Sequence, residues 1–351
     1  MKPDSIPRLN ISGVRKTISA RSNSLVRTEP LRPDSDLPLV VLPNAEQMDL
    51  ISWAASQKEF IQSLLLRHGG LLFRNFRVEG AAQFQEFVKA VSGQPLEYME
   101  QTSPRHKVEG NIYTSTEYPP QHRIFLHNEN SYSSTWPLKI MFFCITAPAT
   151  DGETPIADVR RVYKRIPGQI RDRFERDGWM LVRNFGTGYG LSWQTAFQTD
   201  DPGEVTRYCE ARNIQCEWLS SDRLRIRQRR PAVAKHPVTG EPVWFNHATF
   251  FHISTLDAEM RNTLLAELAE EDLPYNTYYS DGSPIDAEVV ATLRAAYDAE
   301  TIKFPWREHD LLLLDNMLAA HGRSPFSGPR KIVVGMAEPH SEELSKMEHS
   351  A

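Results

Sequence analysis

Apolar residues along this chain fall in short blocks separated by turn formers, with a few longer helical patterns among them. Residues 37–42 are mostly apolar and stop at Pro43, which predicts a short strand. Over residues 45–68 the positions Met48, Ile51, Ala54, Ala55, Phe60, Leu64 and Leu65 follow helical spacing, and Gly69-Gly70 ends the pattern. Residues 71–76 read as a buried strand. Residues 81–91 read as a helix with Phe84, Phe87, Val88 and Val91 on one side. A loop-rich segment, 93–121, follows. Further strands are predicted at 124–130, 138–145, 154–157, 179–185, 243–247, 301–306, 310–315 and 331–336, and Asp158 is placed to cap a helix running to about Ile166. Helical stretches at about 257–272 and 284–300 look like an insertion around a loop at 276–282.

No regular alternation of strand and helix is present, so a doubly wound parallel sheet is not expected. The pattern predicts a mainly β fold with flanking helices, a jelly roll. Residues 1–36 are polar and rich in Pro, Ser and Arg, and read as a mobile arm. Residues 37–339 form one domain with a helical insertion at about 253–300, and 340–351 read as a tail.

Residues 223–230 (Arg-Leu-Arg-Ile-Arg-Gln-Arg-Arg) alternate basic and apolar at first, as a half-exposed strand with one basic face would. Such a strand is either a solvated edge that discourages strand addition or a docking face for an acidic partner.

Composition adds exclusions. With 351 residues and 40% hydrophobic content the chain can bury a substantial core. A net charge of -5 gives no pull toward nucleic acid or anionic membranes. No apolar run approaches the roughly 20 residues that span a bilayer, and the N-terminal segment has no apolar signal core. Cys144, Cys209 and Cys216 lack C-x-x-C spacing, which argues against a zinc ribbon or disulfide framework and fits a reducing cytoplasm.

The chemistry centres on Leu126-His127-Asn128-Glu129-Asn130. On a strand, His127 and Glu129 point the same way and can share one metal ion. A third ligand must come from a distant element, and His321 is the candidate, just after the apolar run 311–314. Two histidines and one carboxylate on one face of an ion form the facial triad of non-haem iron(II) oxygenases, with positions left for co-substrate and dioxygen. The same donors hold zinc in some hydrolases, although no H-E-x-x-H helix is present. A non-catalytic jelly-roll binding module is the third alternative. A 2-oxoglutarate co-substrate needs a cation for its distal carboxylate. Arg330, returned toward the site by a turn through 324–329, and Arg323 compete for that role.

Leu126-His127-Asn128-Glu129-Asn130-Ser131-Tyr132, Gly152-Glu153-Thr154-Pro155, and Asp315-Asn316 through His321-Gly322-Arg323 to Pro329-Arg330-Lys331 together resemble the taurine dioxygenase-like (TauD/TfdA) iron(II)/2-oxoglutarate-dependent oxygenases. The resemblance covers roughly residues 37–338. Residues 113–119 and 244–246 are similar to segments of the amino-acid hydroxylases of nonribosomal-peptide gene clusters, such as the syringomycin-cluster aspartyl hydroxylase. The resemblance implies a double-stranded β-helix (cupin-like) fold and a dioxygenase of natural-product biosynthesis, for which the cysteine pattern suggests a cytoplasmic location. It implies Fe(II), 2-oxoglutarate and dioxygen as cofactor and co-substrates. His127, Glu129 and His321 are the implied iron ligands, and Thr154 joins Arg330 on the 2-oxoglutarate carboxylate. The implied substrate is an amino acid or derivative, free or held on a peptidyl carrier protein. Its candidate contacts are Asn128, Asn130, Tyr132, Thr102, Arg105, Thr116 and Asn246. Two departures stand out: the acidic ligand is Glu129 where many relatives carry Asp, and His247 stands where the nearest branch has Gln. A carboxylate at position 129 speaks against a halogenase.

Overall fold

The computed structural model describes residues 25–46, 48–97, 106–115 and 118–341. Four leucines in a row, Leu311 to Leu314, show how the fold is layered. All four are 0% exposed. They lie on the strand Leu311–Asp315, so successive side chains must point to opposite faces, and both faces must be covered. Leu311 and Leu313 pack with Phe73, Phe84, Met141 and Phe143, against the helices Leu50–Ser56, Lys58–His68 and Gly80–Ser92. Leu312 and Leu314 face the other way, onto Ile140, Phe142, Ile332, Val334 and Trp306. Each such side chain contributes roughly 1.5–3 kcal/mol by leaving water.

This strand is central in an eight-stranded sheet. In spatial order the strands are Val26–Arg32, Ser35–Pro43, Gly70–Phe73, Leu311–Asp315, Thr135–Thr146, Lys331–Ser341, Ile112–Thr114 and Lys107–Glu109. Ser35–Pro43 and Gly70–Phe73 run parallel, and the other neighbours are antiparallel. Across the inner core lies a three-stranded sheet of Ile124–His127, Ala319–Arg323 and Ile156–Asp158. Two sheets facing each other over one apolar core make the expected jelly roll, the double-stranded β-helix. A four-stranded sheet of Ile214–Trp218, Leu224–Arg230, Trp179–Phe185 and Tyr275–Tyr279 packs beside it over its own apolar cluster.

Several expectations are corrected. Residues 26–36 are not part of a mobile arm: Val26–Arg32 is an exposed edge strand, held by its backbone ladder to Ser35–Pro43 rather than by burial, so composition hid it. At the other end the last strand continues through His340, which is buried and opposite Trp136. The helical pattern over 45–68 is two helices divided at Gln57. Asp49 caps the first, accepting from Ile51 N at 3.0 Å, and Gly69 closes the second at φ 75°. The supposed loop at 276–282 contains the strand Tyr275–Tyr279, which pairs with Trp179–Phe185. Its Asn and Thr residues disguised it, because both are buried there. Residues 301–306 contribute a single bridge, Ile156 to Ile302.

The basic stretch fits neither expectation for it. Leu224–Arg230 is an inner strand paired on both sides. Arg225 is buried and bonds Asp272 and Asn184, Arg227 bonds Glu217, and Arg229 bonds Ser280 O. The arginines are internal ties.

Candidate metal centre and active site

Register brings the two histidines together. Ala319–Arg323 pairs antiparallel with Ile124–His127 so that His321 stands directly opposite His127, and their ring centroids lie 4.5 Å apart. The pairing then slips: Arg323 opposes Ile124, which places an extra residue on the His127 strand. Gly322 sits at this bulge. A Cβ there would meet Ile124 O at 2.6 Å, so only glycine lets the strands approach so closely.

Glu129 reaches the histidines differently from the strand geometry expected. The strand ends at His127, and residues 128–130 form a turn in which Asn130 takes φ 56°. Asn316, 0% exposed, clamps that turn. Its Oδ1 accepts from Glu129 N at 2.7 Å, and its Nδ2 donates to Glu129 O at 2.9 Å and Pro137 O at 2.8 Å. Asn128 Nδ2 in turn donates to Asn316 O at 2.6 Å. Asn316 belongs to the short link between Leu311–Asp315 and Ala319–Arg323, which Asp315 shapes by accepting from Met317 N and Leu318 N. The Asp315-Asn316 pair therefore joins the sheets and aims the acidic ligand. Sequence reasoning picked out the pair but gave Asn316 no role.

One ligand atom each from His127, Glu129 and His321 lies within 4.8 Å of the others, and His321 Nε2 is 3.7 Å from Glu129 Oε2. Glu129 and His321 are buried. His127 Nδ1 donates to Phe125 O at 2.9 Å, which fixes the tautomer and keeps the Nε2 lone pair for a metal. A buried carboxylate converging with two imidazoles suits a divalent cation, and the N2O donor set suits iron(II).

A small cavity borders His127 and His321 and is lined also by Ser115, Thr154, Arg323 and Arg330. Arg330 donates from Nε to Gly152 O at 2.9 Å and from Nη1 to Ser115 Oγ at 3.3 Å. Burial, with Arg323 nearby, lowers its guanidinium to about 10, so it stays cationic at neutral pH. Thr154 is buried and its Oγ1 accepts from Trp306 Nε1 at 3.1 Å, which leaves the hydroxyl proton to donate elsewhere. Arg323 is engaged otherwise: it donates to the carbonyls of Tyr118, Pro119 and His122 at 2.7, 2.7 and 3.0 Å and ties down that loop. Ser115 stood only within the resembling segment 113–119 and Trp306 only at the end of the predicted strand 301–306, and neither was given a role in this recess.

A larger cavity, about 450 Å³, opens on His127 and Glu129 from the other side. Its walls include Phe125, Phe250 and Phe251, with Asn130, Tyr132 and Arg294 among the polar lining. Of the expected substrate contacts, Asn130 and Tyr132 are on this wall. Asn128 and Asn246 are tied into the scaffold, the latter through Ala232 O at 2.8 Å and Ala248 N at 3.0 Å. Thr102, Arg105 and Thr116 lie outside the described residues. His247 lines the cavity, its Nδ1 2.6 Å from Ser131 Oγ. Burial first, then the neighbouring His127, hold its imidazole well below the ordinary range, hence neutral.

A jelly roll that brings two histidines from inner strands and a glutamate from the turn after one of them to one centre, with a small recess lined by Thr154 and Arg330 and a larger cavity beside it, fits a mononuclear metal-dependent oxygenase. The family model for taurine catabolism dioxygenase TauD, TfdA matches residues 27–336, and the chain belongs to that family of iron(II)/2-oxoglutarate-dependent dioxygenases. It is 41% identical over 279 residues to the dapdiamide synthesis protein DdaC of Enterobacter agglomerans, covering 80% of this chain and 85% of that one. It is 28% identical over 293 residues to a clavaminate synthase-like protein of Arabidopsis thaliana, covering 81% and 86%. Among solved structures, PvcB of Pseudomonas aeruginosa superposes with a TM-score of 0.56 at 17% identity over 93% of this chain and 95% of that one. A taurine dioxygenase from Burkholderia xenovorans gives 0.52 at 15% over 91% and 92%. Both confirm the fold. Among the described residues no helix is long and apolar enough to cross a membrane.

Proposed function

We propose that this dioxygenase hydroxylates an unactivated C–H bond of an amino-acid-like small molecule in specialised metabolism, with His127, Glu129 and His321 holding the iron. The observation that carries this is the 450 Å³ cavity opening onto His127 and Glu129, which shares only Ile124 and His127 with the lining of the Thr154–Arg330 recess. Two recesses at one metal centre suit two organic ligands, one consumed as co-substrate and one oxidised. The likeness to a protein of dapdiamide synthesis supports the amino-acid class.

Iron bound here with 2-oxoglutarate supplies the oxidative decarboxylation that turns dioxygen into a C–H oxidant. The protein's residues set the stage for it. Arg330 offers its planar fork to the distal carboxylate, and Thr154 donates its hydroxyl proton beside it. Phe125, Phe250 and Phe251 exclude water from the substrate side. Neutral His247, locked by Ser131, adds no charge next to the metal ligands. A substrate held on a peptidyl carrier protein would use the same cavity.

The test is anaerobic protein with Fe(II), 2-oxoglutarate and candidate amino acids, free or carrier-bound, exposed to air with succinate and product mass measured. Substrate-dependent succinate and a gain of one oxygen are expected. Equal succinate from His127→Ala protein would refute the ligand assignment, and loss of two hydrogens would reassign the outcome to desaturation.

A further inference from the structure

The wall of the larger cavity carries a charge that the metal site does not use. Two guanidiniums contact the Phe125 ring, Arg123 at 4.9 Å and Arg294 at 3.8 Å from its centroid. Arg123 is neutralised by Asp298 at 2.8 Å. Arg294, on the helix Ala287–Ala299, is half-buried and has no hydrogen bond or ion pair among the described residues. The cavity's acidic groups are otherwise occupied: Asp257 Oδ1 caps its helix by accepting from Met260 N, and Glu129 is at the metal centre. Asp298, four residues further along the same helix, also acts on Arg294, so Arg123 and Arg294 share one carboxylate and the surroundings of Phe125 keep one net positive charge. Burial first, then the neighbouring Arg123, push the Arg294 guanidinium down against the opposing pull of Asp298, so the site gains when a further anion arrives.

We infer that Arg294, stacked on Phe125, is the specificity-determining residue that takes an oxyanion of the substrate. This rests on the proposed oxidation of an amino-acid-like molecule. A planar guanidinium presents paired N–H donors that match a carboxylate or phosphate, and stacking on Phe125 holds the plane of the fork. Phe125 is two residues before His127, roughly 7 Å along the strand. An oxyanion anchored there leaves a carbon a few bonds away facing the metal ligands, which suits the length of an amino acid. The oxyanion has two possible sources: the carboxylate of a free amino acid, or the phosphodiester of a pantetheine arm bringing a carrier-held one.

Arginine labelling by phenylglyoxal reads the site without turnover. The full-length protein is labelled in the presence of free amino acids, their C-terminal amides, 4′-phosphopantetheine or pantetheine, and modification of Arg294 is followed by mass spectrometry. Either the amino acids or phosphopantetheine should slow Arg294 labelling about tenfold or more, and their neutral counterparts should not. Protection by amino acids identifies the carboxylate, and protection by phosphopantetheine identifies the carrier arm. Labelling unaffected by every probe, or slowed equally by neutral ones, overturns the inference. With the protecting compound class as substrate, Arg294→Gln should raise KM at least tenfold with kcat changed less than about twofold, and Arg294→Lys should recover part of the loss. An unchanged KM also overturns it. Protection without any succinate formation would leave the oxyanion site standing and refute the proposed oxidation instead. Succinate formation with Arg294 indifferent would do the reverse.

Discussion

Replacing Asn316 with alanine tests whether the acidic ligand is aimed from the far side of the barrel. The side chain makes three hydrogen bonds, two to the backbone of Glu129 and one to Pro137 O. At about 1 kcal/mol net each, their loss costs about 3 kcal/mol, a sizeable part of a typical stability of about 5–15 kcal/mol. If the clamp also aims Glu129, metal affinity should fall about 10–100-fold, as when a ligand's supporting partner is removed. Asn184→Ala is the matched control. Asn184 is also buried and makes three side-chain hydrogen bonds, to Glu271 O, Leu273 O and Arg225 Nε, in the other sheet. Urea unfolding of metal-free protein should show similar losses for both variants. Anaerobic calorimetry with Mn(II) should show weaker binding for Asn316→Ala alone. If both variants bind Mn(II) within about twofold of wild type, Asn316 stabilises the fold and does not aim the ligand.

Other changes should separate the roles of neighbouring residues. Gly322→Ala drives a methyl against Ile124 O and should displace His321 from His127, so metal binding should weaken even where circular dichroism shows a folded protein; wild-type affinity would refute the close-approach explanation. Arg330→Ala should raise the KM for 2-oxoglutarate by about tenfold or more, whereas Arg323→Ala should free the loop at Tyr118 and raise the substrate KM instead; steady-state kinetics in each reactant tests the assignment. Trp306→Phe removes one donor to Thr154 and should raise the 2-oxoglutarate KM several-fold, by about 1 kcal/mol, with no effect on metal affinity. The Cys144 thiol, raised to about 12 chiefly by burial, should resist alkylation at pH 9 in native protein and react once urea unfolds it.

How far the sequence could be read depended on what encodes each feature. The apolar runs at 138–145, 310–315 and 331–336 announced their strands because burial on both faces demands near-continuous hydrophobicity. His127, Glu129 and His321 were legible because few donor sets serve a metal. Val26–Arg32 was not, since a backbone ladder places no demand on side chains beyond allowing it. Tyr275–Tyr279 hid its Asn and Thr in an interior that satisfies them. Asn316, Trp306 and Arg294 act through contacts more than a hundred residues away in the chain, and no local pattern marks an asparagine whose partners are backbone atoms. The basic run at 223–230 misled because its acceptors, Glu217, Asp272 and Ser280 O, come from neighbouring strands and loops that the run itself does not reveal.

The pairing of His127 with His321 also orders events in time. The two positions are 194 residues apart in sequence, and the strands that carry them meet only when the small sheet has assembled. A chain still being synthesised can offer an ion just the His127–Glu129 pair. The third donor arrives after nearly the whole barrel has been made, and Gly322 must then slide under Ile124 O. With His127, Glu129 and His321 as the proposed ligands, iron loading would be a late step that distinguishes finished molecules from partly folded ones. An ion held there would act as a clasp across a long loop of chain, adding about 2.7 kcal/mol of resistance to unfolding when free metal is a hundredfold above its dissociation constant.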